Sequence, residues 1–184
     1  MAFLTALLGS IQSADWAVMH AIQHFCRCGV LDRVFPFITG LGNIGIVWIL
    51  IALILMIRKK TRRYGILMLI ALGIGAIVGQ GIIKHLVQRP RPFILDSSVK
   101  LLISAPRDTS FPSGHSAAAA TGAYMLCRMN KAAGIPAVIL ALLIAFSRMY
   151  LYVHFPSDVI AGLLLGVFTG WAVWKLGHRW AEAG

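Results

Sequence analysis

Three short stretches hold most of the residue types that could do chemistry in this chain. Lys84 is followed by Arg89-Pro90-Arg91-Pro92, then comes Phe111-Pro112-Ser113-Gly114-His115-Ser116, and last Ser147-Arg148 leads to His154 and Phe155-Pro156-Ser157-Asp158. Proline suits the first position of a helix, where its missing N–H would be unpaired anyway. Pro112 and Pro156 therefore each mark a helix start. The free N–H groups after Pro112, together with the positive end of the helix dipole, make an anion site. Ser113 adds a hydroxyl donor there, and Gly114 lets a ligand approach the backbone. His154 lies just before the second helix and Asp158 about one turn inside it. Asp158 can then accept a hydrogen bond from Nδ1–H of His154, leaving Nε2 unprotonated and aimed outward, as a nucleophile or base requires.

Lys84, Arg91 and Arg148 have no acid beside them in sequence, so they need an anionic partner. Arginine matches phosphate oxygens with a bidentate fork, and lysine supplies a point charge. A tetrahedral phosphoryl group held by Lys84, Arg91, Arg148 and the N–H groups of Ser113 and Gly114 would balance the charge. Each feature also has a bland reading. The Pro-Ser-Gly-His stretch can be a helix cap, a lone His–Asp pair is often structural, and Arg89 and Lys100 suit lipid headgroups. The convergence of Lys84, Arg91, His115, Arg148, His154 and Asp158 at one level favours a site, because ionisable groups at membrane helix ends are expensive.

The acids are Asp15, Asp32, Asp96, Asp108, Asp158 and Glu182, no two of them close in sequence. Sites that hold Mg²⁺ cluster their carboxylates, so neither a metal nor another cofactor is expected. His20 and His24 lie four apart without a third ligand, and Cys26-Arg27-Cys28 is too short and isolated for zinc. Three cysteines make no disulfide framework.

These residues must be positioned by membrane helices. The chain of 184 residues is 59% apolar and 12% charged, with mean hydropathy +0.81. Soluble domains are about 45–50% apolar and about 25% charged. The expected class is all-α, a small polytopic transmembrane bundle. Five uncharged runs, Phe37–Ile57, Tyr64–Ile83, Ser113–Cys127, Ala132–Ser147 and Val159–Trp174, are read as its spanning helices. The last three fall short of the roughly 20 residues of a full span. Each carries reactive residues at one end, which implies a recessed site. Leu4, Leu8, Ile11, Val18, Ile22 and Phe25 recur at helical spacing, opposite Thr5, Gly9, Gln12, His20 and Gln23. That pattern is an amphipathic helix lying on the bilayer or packing beside the bundle. A sixth crossing there is left open, and without a positive n-region no signal cleavage is expected. The chain divides as one domain, 1–184, with an amphipathic region 1–36, a bundle 37–176 and a tail 177–184.

Seventeen basic against six acidic residues give a net charge of +11, and Arg58, Lys59, Lys60, Arg62 and Arg63 sit together between two apolar runs. This is a cytoplasmic loop under the positive-inside rule, not a nucleic-acid surface. Arg128, Lys131, Lys175 and Arg179 fall on the same side, which places the reactive stretches on the extracytoplasmic face of the cell membrane. Gly75 with Gly79, and Gly162 with Gly166 and Gly170, have the spacing that lets helices approach closely. Packing inside one bundle is the main reading and a homodimer seam the alternative.

Taken together, Lys84-x6-Arg91-Pro92, Pro112-Ser113-Gly114-His115 and Ser147-Arg148-x5-His154-x3-Asp158 resemble the three-part signature of the type 2 phosphatidic acid phosphatase family. Leu31-Asp32, Phe35-Pro36-Phe37 and Leu41-Gly42-Asn43 resemble, more weakly, the front of its small bacterial members. The resemblance implies a metal-independent lipid phosphatase with a phosphohistidine intermediate. His154 would be the nucleophile, Asp158 its orienting partner and His115 the general acid. Lys84, Arg91, Ser113, Gly114 and Arg148 would bind the phosphoryl oxygens. Undecaprenyl diphosphate is the substrate this favours, with phosphatidylglycerol phosphate, phosphatidic acid and a lipid A phosphate as alternatives. Phosphotransfer to an acceptor lipid, and a non-catalytic lipid-phosphate binder or transporter, are the competing activities.

Overall fold

Helix α7 (Gly114–Met129) forms the axis against which α8 (Lys131–Tyr150), α9 (Pro156–Glu182) and α4 (Arg62–Ala76) pack. Ser113 caps it by accepting a bond from Ser116 N–H at 3.4 Å. Its alanine run, Ala117 to Ala120, combines high helix propensity with small side chains. Asn130 ends the helix in extended conformation and caps the next one, its Oδ1 accepting from Ala132 N–H at 2.8 Å. The small residues of α9 meet α7 directly. A Cβ at Gly162 would collide with the Ser113 carbonyl, and one at Gly166 with that of Ala117. Gly170 backs onto Tyr124, and Gly75 of α4 faces Thr169. The glycine spacing is thus used inside the bundle. Trp48, Met68, Ala119 and Ile144 fill the buried middle.

This computed structural model describes residues 2–182, with side chains from residue 9 onward, and contains no strand among them. Three of its helical segments are long and apolar enough to cross a membrane: Arg62–Leu95, Lys131–Tyr150 and Pro156–Glu182. A fourth is reached when Gly29–Leu41 and Asn43–Ile57 are taken as one broken span bent by 44°. The run Phe37–Ile57 is therefore not one straight helix but α2 (Gly29–Leu41) and α3 (Ile46–Ile57), separated by a 3₁₀ turn at Asn43–Gly45. The break lies where Ile44 and Gly45 take φ of 54° and 71°, left-handed values that an α-helix of L-residues does not propagate. The Tyr64–Ile83 run is α4 continued by a π-helical stretch (Ile77–Ile83) and α5 (Lys84–Val87), with a short α6 (Pro92–Leu95) beyond. The remaining expected span, Ser113–Cys127, corresponds to α7, which has 16 residues. Other helices encase it, so it lacks the long apolar exterior of a lipid-facing span.

Helix α1 (Ala2–Ala21) runs into a π-helical turn, Ile22–Cys26, and packs beside α9. The side chains of Leu4, Thr5 and Leu8 lie outside the described residues. Among the others Ile11, Val18 and Phe25 are exposed, while Gln12 is half-buried and Asp15, Met19 and Ile22 are buried. The inward face is mixed: Gln12, Asp15 and Gln23 turn towards the bundle together with Met19 and Ile22, while Ser13 and His20 are exposed. At one end of the molecule Arg63 Nη1 donates to the Trp180 carbonyl at 2.7 Å, and Arg128 lies 5.2 Å from the Trp174 ring centre. The basic turns and the tail thus share one end, and the reactive stretches gather at the other.

Candidate active site

Main-chain bonds bring the three reactive stretches together. Ser110 N–H donates to the Arg89 carbonyl at 2.8 Å, and Ser113 N–H to the Asp158 carbonyl at 3.0 Å. The N–H groups of Val153 and His154 both reach the Arg148 carbonyl, at 3.2 and 3.3 Å. Close packing of α9 on α7 at Gly162 holds the second and third stretches in register.

Lys84, Arg91 and Arg148 converge as expected, and all three are buried. They are not without an acid. Asp108 accepts from Lys84 Nζ through Oδ2 and from Arg91 Nη2 through Oδ1 at 2.6 Å, while its carbonyl takes Arg91 Nε at 2.7 Å. Burial alone would raise the Asp108 carboxyl, but the Lys84 hydrogen bond and the Arg91 charge bring it down to about 2. This partner was not visible in sequence because it lies 24 and 17 residues from the two cations and reaches them only when the loop folds back. Gln80 Oε1 also receives Lys84 Nζ, at 2.7 Å. Arg148 Nη1 donates to Thr39 Oγ1 at 2.5 Å, and its buried Nε has no partner among the described residues. A buried guanidinium donor left free is suited to an anion.

His154 is 1% exposed. Arg91 Nη1 lies 3.2 Å from its Nε2 and also donates to the Val153 carbonyl at 2.7 Å. An arginine can only donate, so Nε2 is the acceptor and the ring proton belongs on Nδ1. Burial, with the Arg91 and Arg148 charges, pushes the imidazole down to about 3 against the pull of Asp158. The expected His154–Asp158 hydrogen bond is not direct. Nδ1 and Oδ2 are 3.7 Å apart, and the buried Ser110 hydroxyl lies beside both, 2.5 Å from Asp158 Oδ2 and 3.4 Å from Nδ1. Phe155 N–H donates to the same carboxylate oxygen at 2.8 Å. Arg89, for which lipid headgroups were the bland reading, points inward and donates from Nη1 to Asp158 Oδ1 at 2.6 Å. The buried carboxylate draws it in.

His115 enters from the start of α7, where its Nε2 lies 3.0 Å from Asn43 Oδ1. The break between α2 and α3 thus presents Asn43, and Gly42 leaves room for the ring, since a Cβ there would come within 2.9 Å of His115 Cδ2. At the cap, the Ser113 N–H is committed to the Asp158 carbonyl, and Gly114 lines the cavity. The space beside Gly114 is taken by the Gln80 amide. The cavity measures about 1200 Å³ and is lined at its polar end by Lys84, Arg91, Asp108, His115, Arg148 and His154. Ile49, Leu69 and Leu72 contribute to its apolar walls between α3 and α4. Asp108, Ser110, Gln80, Asn43 and Thr39 were not singled out from sequence. Only the Leu41-Gly42-Asn43 segment carried any signal.

Comparison with known proteins agrees with this geometry. A family model described as the PAP2 superfamily matches residues 63–182. An undecaprenyl-diphosphatase of Sulfolobus acidocaldarius is 35% identical over 162 residues, covering 87% of this chain and 78% of that protein. A transmembrane PAP2-type phosphatidylglycerolphosphate phosphatase from Bacillus subtilis has a solved structure 31% identical, with TM-score 0.76, 92% of this chain and 87% of that one covered. The structure of LpxE from Aquifex aeolicus is also 31% identical, with TM-score 0.77, at 87% and 94% coverage.

Proposed function

From the premise that this chain belongs to the PAP2 superfamily and is a membrane lipid phosphatase, we propose that it removes the terminal phosphate of undecaprenyl diphosphate through a phosphohistidine at His154. The observation that carries this reading is the unprotonated Nε2 of His154, 3.2 Å from Arg91 Nη1, at the polar end of the cavity. Its apolar walls suit a lipid chain, and the similarity to an undecaprenyl-diphosphatase supports the choice of lipid. Lys84, Arg91 and Arg148, with Gly114 N–H and the Ser113 hydroxyl, bind the terminal phosphoryl oxygens and stabilise the charge that grows on them.

Nε2 attacks phosphorus, forming an N–P bond as the P–O bond to the lipid monophosphate breaks. His115 gives a proton to that leaving oxygen. Water then attacks phosphorus, His115 takes the water proton, and the N–P bond breaks to release inorganic phosphate. Cations do here what a metal does at carboxylate-rich phosphatase sites. We read α7 as a further crossing, making five in all, with the site on the extracytoplasmic face of the cell membrane, opposite the Arg58–Arg63 turn.

The substrate is tested by phosphate release from four lipids under the same conditions: undecaprenyl diphosphate, phosphatidylglycerol phosphate, phosphatidic acid and a lipid A phosphate. The highest kcat/KM is expected for undecaprenyl diphosphate, and the lowest would reject it. The relative from Bacillus subtilis makes phosphatidylglycerol phosphate the second reading.

A further inference from the structure

Behind His154 lies a buried charge cluster that extends into the N-terminal helix. Arg89 joins two carboxylates, donating from Nη1 to Asp158 Oδ1 and from Nη2 to Asp15 Oδ2, each at 2.6 Å. Asp15 is 3% exposed and Asp158 is fully buried. Asp15 also accepts from Ser157 N–H at 2.9 Å and from the Ser157 hydroxyl at 2.5 Å. Every one of its contacts is a donor. Gln12 Oε1 shares Arg89 Nη2 at 2.7 Å, and the guanidinium lies 4.2 Å from the Phe155 ring centre. Asp15 and Gln12 both belong to α1, outside the segment 63–182 that the family model matches.

Two carboxylates and one guanidinium leave this cluster with one net negative charge while His154 is neutral. When Nε2 bonds to phosphorus, the imidazole becomes a cation whose charge is shared with Nδ1–H. In a buried, weakly polarisable setting, a negative cluster on the Nδ1 side favours that cation. Without the Asp15 charge the cluster is neutral, and Arg89 draws on Asp158 alone.

We propose that Asp15 is a positioning residue for phosphoryl transfer: through Arg89 it orients the Asp158 carboxylate and keeps the cluster behind His154 negative, which makes α1 part of the catalytic apparatus. The proposal rests on His154 being the nucleophile.

The test compares the full-length wild type with Asp15→Asn and with Gln12→Glu/Asp15→Asn, which moves the charge one turn along α1 onto the same Arg89 nitrogen. Turnover of undecaprenyl diphosphate and labelling of the protein by its ³²P-labelled terminal phosphate are both measured. Asp15→Asn should lower kcat and the rate of labelling by about 10- to 100-fold with KM within about threefold. The relocated charge should restore most of both rates. A KM rise with kcat unchanged, or no recovery in the double variant, would overturn the proposal. If Asp15→Asn fails to fold, the double variant carries the test alone: kcat near wild type supports it, and a loss as large as that expected for Asp15→Asn rejects it. His154→Ala, measured in parallel, separates the two ideas. Turnover surviving in His154→Ala rejects the nucleophile. A dead His154→Ala beside an unaffected Asp15→Asn rejects only the role of Asp15.

Discussion

Asp108 Oδ1 accepts a 2.6 Å hydrogen bond from Arg91 Nη2, and the other oxygen of the same carboxylate is bound to Lys84. The carboxylate therefore lies against two of the cations proposed to take the substrate phosphate. Any phosphoryl group entering the site competes with it. Hydrogen bonds between charged groups contribute about 1.5–3 kcal/mol, so Asp108→Asn should tighten inhibition by orthovanadate about tenfold or more. Steady-state inhibition in detergent micelles measures this. An unchanged or weaker inhibition constant would mean that Asp108 does not compete with the anion.

Arg148 is buried with its Nε unpaired. Lysine keeps the charge but lacks both the fork and the bond to Thr39. Arg148→Lys should lower kcat/KM by about 10- to 100-fold, since a lost charge-assisted contact is worth about 1.5–3 kcal/mol. Thermal stability of the purified variant, measured beside its kinetics, distinguishes this effect from unfolding.

Gly162 lies where α9 crosses the start of α7, and a side chain there meets the Ser113 carbonyl. Gly162→Ala forces the two helices apart at the level of the site. Overpacking of this kind costs about 1–3 kcal/mol, and it also displaces Ser113 and Gly114. The expected outcome is a lower melting temperature with reduced kcat. Gly73, where an added Cβ has open space, should accept alanine with little change in either quantity.

His154 titrates at about 3 in the folded protein against an ordinary value of 6.5. Between these values the unfolded chain binds a proton at this residue that the folded chain does not. Stability from this source is fully present above pH 6.5 and is lost as pH falls towards 3. His154→Asn should therefore lose less melting temperature than the wild type between pH 7 and pH 4. Scans of both proteins across that range check the sign, and parallel curves would contradict the depressed imidazole.

The signature residues were legible because their partners lie close in the chain. Pro112 to His115 is one helix start, and His154 stands just before another, whose first turn holds Asp158. The contacts that complete the site span much longer separations. Arg148 meets Thr39 across 109 residues, His115 meets Asn43 across 72, and Arg89 meets Asp15 across 74. No local pattern encodes such pairings. The burial of Asp15 on α1 was hidden for a different reason. The periodicity of that helix reveals two faces, but which one turns inward depends on whether water or lipid lies outside. The left-handed pair Ile44–Gly45 that divides α2 from α3 sits inside an apolar run whose composition reads as one continuous span.

The most direct test of the central claim is acid-stable against acid-labile labelling. Wild type and His154→Ala are incubated in excess EDTA with undecaprenyl diphosphate carrying ³²P in its terminal phosphate, quenched, and split at acid and at alkaline pH. The wild type should release inorganic phosphate and carry a label that survives alkali, is lost in acid and maps to His154, while the variant shows neither. Phosphate release by His154→Ala, or a label on any other residue, would contradict it.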